Sequence, residues 1–546
     1  MLTKSFDTVS ALAGSIQDFP PVLLFAVAAL LLFALLWLPG AAPARTIGAT
    51  DRFLMILIAM LCMGVITGAA AYYASTNVLL DHVEPTFIAT SALWSQGHPI
   101  YHAANSAWRY ALAYGPDAYL IDAAAQKALG ASIITTKIPH AACVILSLII
   151  LFVVFKRESR AAVAWIACGY CALGLAFFGS TAYWGRGDPY LVFFICLGLV
   201  GIRCKSRVLV VLLCGIALGI CADLKIHAVL YFFPLLAMVY RDHGLKSALA
   251  TVVLGVVVTA LPFEVVHGIS LPDYVEVLKL ATNHKILSDS LLTMLAWAAM
   301  LALPCVIAAV SFSQADSRAF KDWRDENRSV IWAFGIGVAL IILVASKEGA
   351  GPHHLAPFAP IFSYLFCRLL AEHPASLSGG AEGRLVESLV GGYLIAALLA
   401  IFSSQYTVVS IVRDHIPAAD AAIAEIREIE SRYPNKTIAM GFSLEKYSST
   451  FYRVNLVFDH NPYPVDAAAL MDMEESGLHL PPATLEALLA GSTQLWLFPA
   501  SQEPFSLLNF YSSRQLFSPE FQRIFFENYQ KREHGKVFDI WEYRSK

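Results

Sequence analysis

The chain has 546 residues, 58% of them hydrophobic and only 14% charged, with a formal net charge of −3. A soluble domain carries about a quarter charged residues, so this composition and its positive mean hydropathy describe a polytopic membrane protein. With no basic excess to neutralise a phosphate backbone, nucleic acid is excluded as a partner.

Spanning a hydrocarbon core of about 30 Å takes about 20 helical residues. Apolar runs of that kind lie at 21–38, 52–75, 131–155, 161–179, 247–266, 291–312, 329–346, 354–371 and 388–411, with three shorter ones at 189–202, 208–222 and 226–240. Together they predict twelve spans. The first has no small-residue cleavage site behind it and reads as a retained span, not a signal peptide. All ten cysteines fall in or beside apolar runs, as small buried hydrophobes do.

Lysine and arginine mark cytoplasmic loops. They concentrate at Arg45/Arg52, at Lys156, Arg157 and Arg160, at Arg203/Lys205/Arg207, at Arg241/Lys246, at Arg318 to Arg328 and at Arg368/Arg384. The alternate loops carry one or two cations each and are placed outside. This predicts both termini outside, with no break in the alternation.

One outside interval is long and polar, residues 76–130, and runs on to Lys137. Pro85 suits the start of a helix that Gly97 stops, and Pro116 the start of a second that Gly130 stops. Glu84 precedes a proline and sits at the cap of the first helix. Two readings stand: a carboxylate facing a helix dipole, or a catalytic carboxylate.

After residue 411 charge rises and the apolar runs stop. The expected division is a transmembrane domain, 1–411, and a soluble α/β domain, 412–546, lying outside. In the latter the pattern predicts helices at 418–432 and 482–490, and strands at Thr437–Gly441, Val454–Phe458, Gln494–Phe498 and Val537–Tyr543. No glycine-rich nucleotide loop occurs in it.

No span has a charged residue at its middle, which argues against an ion-coupled transporter and leaves a lipid flippase with a polar groove as a rival. The cations gather instead at the outer span ends: Arg186, Lys225, His227, Lys285, Lys347, His353 and His354. Singly, each reads as a snorkelling interface residue. The run Lys347-Glu348-Gly349-Ala350-Gly351-Pro352-His353-His354 reads equally as a phosphate-binding helix start or as a flexible loop before a proline. Neighbouring histidines point in different directions on a helix, and no metal cluster is evident.

Taken in order, the acidic residue in the first outer loop, Gly97-His98-Pro99-Ile100-Tyr101, Tyr114-Gly115-Pro116, Leu218-Gly219-Ile220 followed by Lys225, and Lys347-Glu348-Gly349 leading to His353-His354-Leu355-Ala356-Pro357 resemble the GT-C glycosyltransferases. The branch most similar holds the protein O-mannosyltransferases and the aminoarabinose lipid A transferases, over about residues 50–370. The resemblance implies a polytopic helical GT-C fold, a polyprenyl-phosphate sugar as donor, no nucleotide-sugar, and inversion at the anomeric carbon. It places the essential carboxylate at Glu84, with Asp81 as the second match. Lys225, Lys347, Arg186 and His354 are expected at the donor phosphate, and Tyr101, Tyr114, Asp188 and His353 at the substrate. Side-by-side acidic residues, common in the family, are absent here, which leaves open whether a divalent metal ion assists; no other cofactor is expected. The extra first span is a second departure.

The reading is a glycosyltransferase of a bacterial inner membrane acting on its outer face, with a lipid, glycan or protein acceptor. A carboxylate takes the acceptor's proton, cations stabilise the leaving phosphate, and no general acid is needed. The rivals are a lipid-linked sugar flippase and a polymerase or ligase using a lipid-diphosphate donor.

Overall fold

The computed structural model describes residues 49–372 and 381–544. The expected span at 21–38 and Arg45 lie outside the described residues. Helix α1 (Ala49–Ala74) leads into the long loop, which holds α2 (Glu84–Ser95) and α3 (Pro116–Leu129) where the prolines predict them. The bundle continues through α4 (Ile133–Glu158), α5 (Ala161–Ala176), α6 (Asp188–Ile202) and α7 (Arg207–Leu224). A 3-10 segment, Ile226–Phe232, precedes α8 (Phe233–His243) and then α9 (Leu245–Val265). After the loop helix α10 (Leu271–Thr282) come α11 (Ser288–Ala315), the amphipathic α12 (Ser317–Glu326), α13 (Arg328–Ala345), and a 3-10 segment, Pro352–Phe358, before α14 (Ala359–Glu372). The long α15 (Ala381–Arg432) follows.

Among the described residues seven helical segments are long and apolar enough to cross a membrane, so length alone does not account for the twelve expected spans. Helices α5 and α6, of 16 and 15 residues, reach only about 22–24 Å at ~1.5 Å per residue. Each gives way to the polar segment 177–188, which joins them. The run at 226–240 is likewise split by its 3-10 segment. Phe53, Val253, Val256, Leu292 and Trp332 are 63–67% exposed; on helices of an integral membrane protein such faces meet lipid.

The two ends of the bundle differ in charge. At one, Glu158 pairs with Arg203 and, at 2.8 Å, with Arg368, joining three of the lysine- and arginine-rich loops. The other carries the long loop.

Helix α15 contains both the expected last span and the expected helix at 418–432 without interruption, so residue 412 is not a break in the backbone. Beyond it lie β1 (Ile438–Met440), α16 (Val454–Phe458), α17 (Ala467–Glu475), α18 (Pro482–Leu489), β2 (Leu495–Pro499), α19 (Pro519–Asn528), β3 (Tyr529–His534) and β4 (Phe538–Tyr543). The sheet order is β1-β2-β4-β3, with β1 and β2 parallel and the other pairs antiparallel. One expectation fails: Val454–Phe458 is a helix, not a strand. A five-residue apolar run has no readable period. Here it continues the 3-10 segment Tyr447–Arg453 and packs on α2, where Gln96 Nε2 donates to the carbonyl of Val457 (2.7 Å). Helices α17 and α19 and strand β3 were not expected either. Phe498, Phe505, Phe517, Phe521 and Phe525 make the centre of this domain's core.

Main-chain and side-chain bonds join the domain to the long loop. Arg109 N donates to Pro464 O and Asp466 N to Arg109 O, both at 2.7 Å. The buried Asp466 carboxylate also takes bonds from Thr86 Oγ1 of α2 (2.8 Å) and Arg453 Nη2 (2.7 Å).

Candidate active site

Glu84 opens α2 and is completely buried. Its carboxyl oxygens accept from four donors: the Tyr73 hydroxyl at 2.6 and 2.8 Å, Leu80 N at 2.8 Å, Asp81 N at 3.1 Å and Gly185 N at 2.7 Å. A carboxylate has about four lone-pair positions, so none remains for an acceptor hydroxyl. This arrangement ties α1, the start of the long loop and the 177–188 segment to one point. Lys137, also buried, lies 3.8 Å above the Tyr73 ring and donates to the carbonyls of Thr76 (3.0 Å) and Val78. It fixes the chain that leads to Asp81.

Asp81 is the carboxylate that remains reachable, with 16% of its side chain exposed. Oδ1 accepts from Val83 N at 2.8 Å and lies 3.5 Å from Arg186 Nη1, while the His82 ring lies 3.8 Å from Oδ2. Burial by itself would raise its pKa; the Arg186 guanidinium and His82 outweigh burial and hold the carboxyl below the usual range. Asp81 lines a cavity of ≈ 70 Å³ with Ser180, Thr181, Trp184, Trp297 and His353. His353 is 5% exposed and neither ring nitrogen has a hydrogen-bond partner.

The cations sit behind this cavity. Arg186 stacks on Trp184 (4.2 Å) and donates to the Tyr114 hydroxyl at 2.7 Å. Lys225 pairs with Asp188 at 2.6 Å, with both side chains buried, and lies 5.1 Å from the Tyr114 ring centre. Trp184 Nε1 holds the other Asp188 oxygen at 3.2 Å. His354 pairs with His227 (3.1 Å) and its ring stands 4.5 Å from that of His353.

The expected residues are therefore brought together unequally. Asp81, Tyr114, Arg186, Asp188, Lys225, His353 and His354 form one continuous group. Tyr101 serves the fold of the loop, its buried hydroxyl donating to the carbonyl of Tyr114 at 2.6 Å. Lys347 makes no side-chain hydrogen bond or ion pair among the described residues, and nearby Gly349 packs against the Tyr511 hydroxyl. Tyr511, from the C-terminal domain, has its phenol pKa raised by burial and by the charges of Asp472 and Asp81. Tyr73, which holds Glu84, and Tyr511 are single tyrosines outside any motif, and neither gives a signal in sequence. Among the described residues no group of three or more His, Cys, Asp or Glu side chains is placed to hold a metal ion.

Residues 128–347 match the sequence profile of Glycosyltransferase family 87. That range includes Arg186, Asp188, Lys225 and Lys347, and leaves out Asp81, Glu84 and the C-terminal domain. Among solved structures, ArnT from Cupriavidus metallidurans bound to undecaprenyl phosphate superposes with a TM-score of 0.53 at 12% identity, covering 89% of this chain and 97% of that one. The apo state of the same protein gives 0.53 at 14% identity, covering 90% and 98%. The chain has the GT-C fold. No curated protein sequence matches the chain significantly.

Proposed function

We propose that this GT-C protein transfers a sugar from a polyprenyl-phosphate carrier to an acceptor hydroxyl at the outer face of a bacterial inner membrane. One observation carries the reading: a reachable carboxylate and an unpaired imidazole line one small cavity at the end of the bundle that carries the long loop, and two cations are joined to its wall, Arg186 through Asp81 and Trp184 and Lys225 through Asp188. Asp81 takes the hydroxyl proton as oxygen attacks the anomeric carbon. The bond to the carrier phosphate breaks, and Arg186 and Lys225 stabilise the charge that grows on the leaving oxygen. His353 supplies a further polar contact inside the cavity. Glu84 is the organiser of the site, because its lone pairs are already engaged. The matched ArnT structure is of a protein bound to undecaprenyl phosphate, which supports a lipid phosphate of that class here. The scarcity of cations in the loops at this end of the bundle supports the outer side.

The test is turnover by the purified full-length protein in lipid nanodiscs, given radiolabelled polyprenyl-monophosphate sugars one at a time. Release of free polyprenyl phosphate with label in a new product is expected from at least one donor, and lost in Asp81→Asn. Use of lipid-diphosphate glycans alone would move the protein to the polymerase or ligase class. Movement of intact donor across the bilayer without cleavage would make it a flippase.

A further inference from the structure

A second pocket, of ≈ 460 Å³, opens where the long loop meets the C-terminal domain, and shares no lining residue with the Asp81 cavity. His98 and Trp108 form the loop wall; Asn461, Thr484, Thr493 and Trp496 belong to the domain wall. The seam is closed by the 2.7 Å main-chain bonds of Arg109 to Pro464 and Asp466, and by Thr484 Oγ1 donating to Ala107 O at 3.1 Å.

Two features restrict what it can hold. Among the described residues no Lys, Arg, Asp or Glu lines it, and its titratable groups are the two imidazoles of His98 and His460, so a phosphate or a nucleotide would meet no fixed cation, which is costly. Its volume falls in the range of small-molecule sites, and the lining combines aromatic faces with a few polar groups, as such sites do. A pyranose ring meets both conditions. It is neutral, lays a face of C–H groups on an indole such as Trp108, and offers hydroxyls at its edge to N–H and O–H groups.

We infer that this seam pocket binds a neutral saccharide portion of the acceptor. The inference rests on the glycosyltransferase reading for the word acceptor, and on the pocket alone for the saccharide. Because the pocket wall and Asp81 are parts of the same loop, a glycan held there is anchored to the element that carries the reacting carboxylate. Holding the remote part of a substrate is how binding energy orients the reacting part.

The experiment uses the full-length protein in nanodiscs and saturation-transfer NMR. The probes are methyl glycosides of glucose, galactose and mannose, N,N′-diacetylchitobiose, and decanol as the apolar control. Saturable binding of at least one saccharide is expected, weakened about tenfold or more in Trp108→Ala and partly restored in Trp108→Phe. Ala487→Trp, which fills the pocket without removing a wall, should block it too. Binding of no saccharide, binding of decanol alone, or saccharide binding unchanged in both Trp108→Ala and Ala487→Trp overturns the inference. Donor cleavage is measured on the same preparation. Donor use without saccharide binding removes the pocket and keeps the proposed function; saccharide binding without donor use keeps the pocket and removes the function.

Discussion

The Tyr73 hydroxyl donates to both carboxyl oxygens of Glu84, at 2.6 and 2.8 Å. Through that contact the end of α1 holds the first residue of α2, and the amides of Leu80, Asp81 and Gly185 complete the shell. Glu84→Gln places an amide NH₂ against this set of donors, and each buried donor left unpaired costs about 1–3 kcal/mol. The variant should lose thermal stability together with turnover, and Tyr73→Phe should lose less of both. A Glu84→Gln protein with wild-type Tm and no turnover would instead place Glu84 in the chemistry.

Asp81→Asn should separate the two quantities. The side chain is partly exposed and makes one close bond, to Val83 N, so Tm should change little. Turnover should fall by about 10²–10⁴. Because the folded pKa is depressed, any stability that Asp81 contributes is present above its unfolded value near 3.8 and is lost only as the pH falls further, through the folded value. Across pH 5–8 the wild-type profile should show no step from this group, which a pH–rate series checks.

Lys225 cannot be read by simple truncation. It pairs with Asp188 at 2.6 Å, with side chains 4% and 2% exposed, and removing one partner of a buried pair costs about 3–5 kcal/mol. Lys225→Ala should therefore express poorly. Lys225→Met with Asp188→Asn should recover the fold without recovering use of the donor phosphate. A double variant with wild-type donor kinetics would place the phosphate elsewhere.

Asp117, at the start of α3, offers a pH test. Burial raises its pKa to about 6, and the neighbouring Asp223 carboxyl shares a hydrogen bond with it, so the two titrate as a pair. A carboxyl raised in the folded state favours folding when protonated, so its stabilisation is full below the unfolded value near 3.8 and is lost as the pH rises to about 6. Asp117→Asn should thus raise Tm at pH 7.5 by the equivalent of about 1–3 kcal/mol and leave it nearly unchanged at pH 4.

Arg453 and Asp466, 1% and 0% exposed, join the C-terminal domain to Thr86 on α2. Arg453→Gln should destabilise the seam by about 3–5 kcal/mol and expose the domain boundary to protease. Thr86→Val, which removes one hydrogen bond at constant volume, should cost about 1 kcal/mol.

Composition and periodicity alone determined that this is a membrane protein. They also placed helices at every expected run from residue 52 onward, and put α2 and α3 between Pro85, Gly97, Pro116 and Gly130. These are local or one-dimensional properties: span length, proline and glycine at helix ends, and charge sorted by loop. The motif order was enough to indicate the GT-C fold and to collect Arg186, Asp188, Lys225 and His353 as candidates. What the sequence could not decide is how lone pairs are shared. Asp81 and Glu84 are three residues apart and chemically alike, yet Tyr73 and the Gly185 amide, 11 and 101 residues away, enclose one and leave the other facing a cavity. Nor could a five-residue run such as Val454–Phe458 declare itself helix or strand before it was packed on α2. The seam pocket likewise exists only because Trp108 and Trp496, from distant parts of the chain, are brought to opposite walls by tertiary contact. Burial and hydrogen-bond partnership are properties of the folded neighbourhood, and at this site they separate a fully engaged carboxylate from a reachable one.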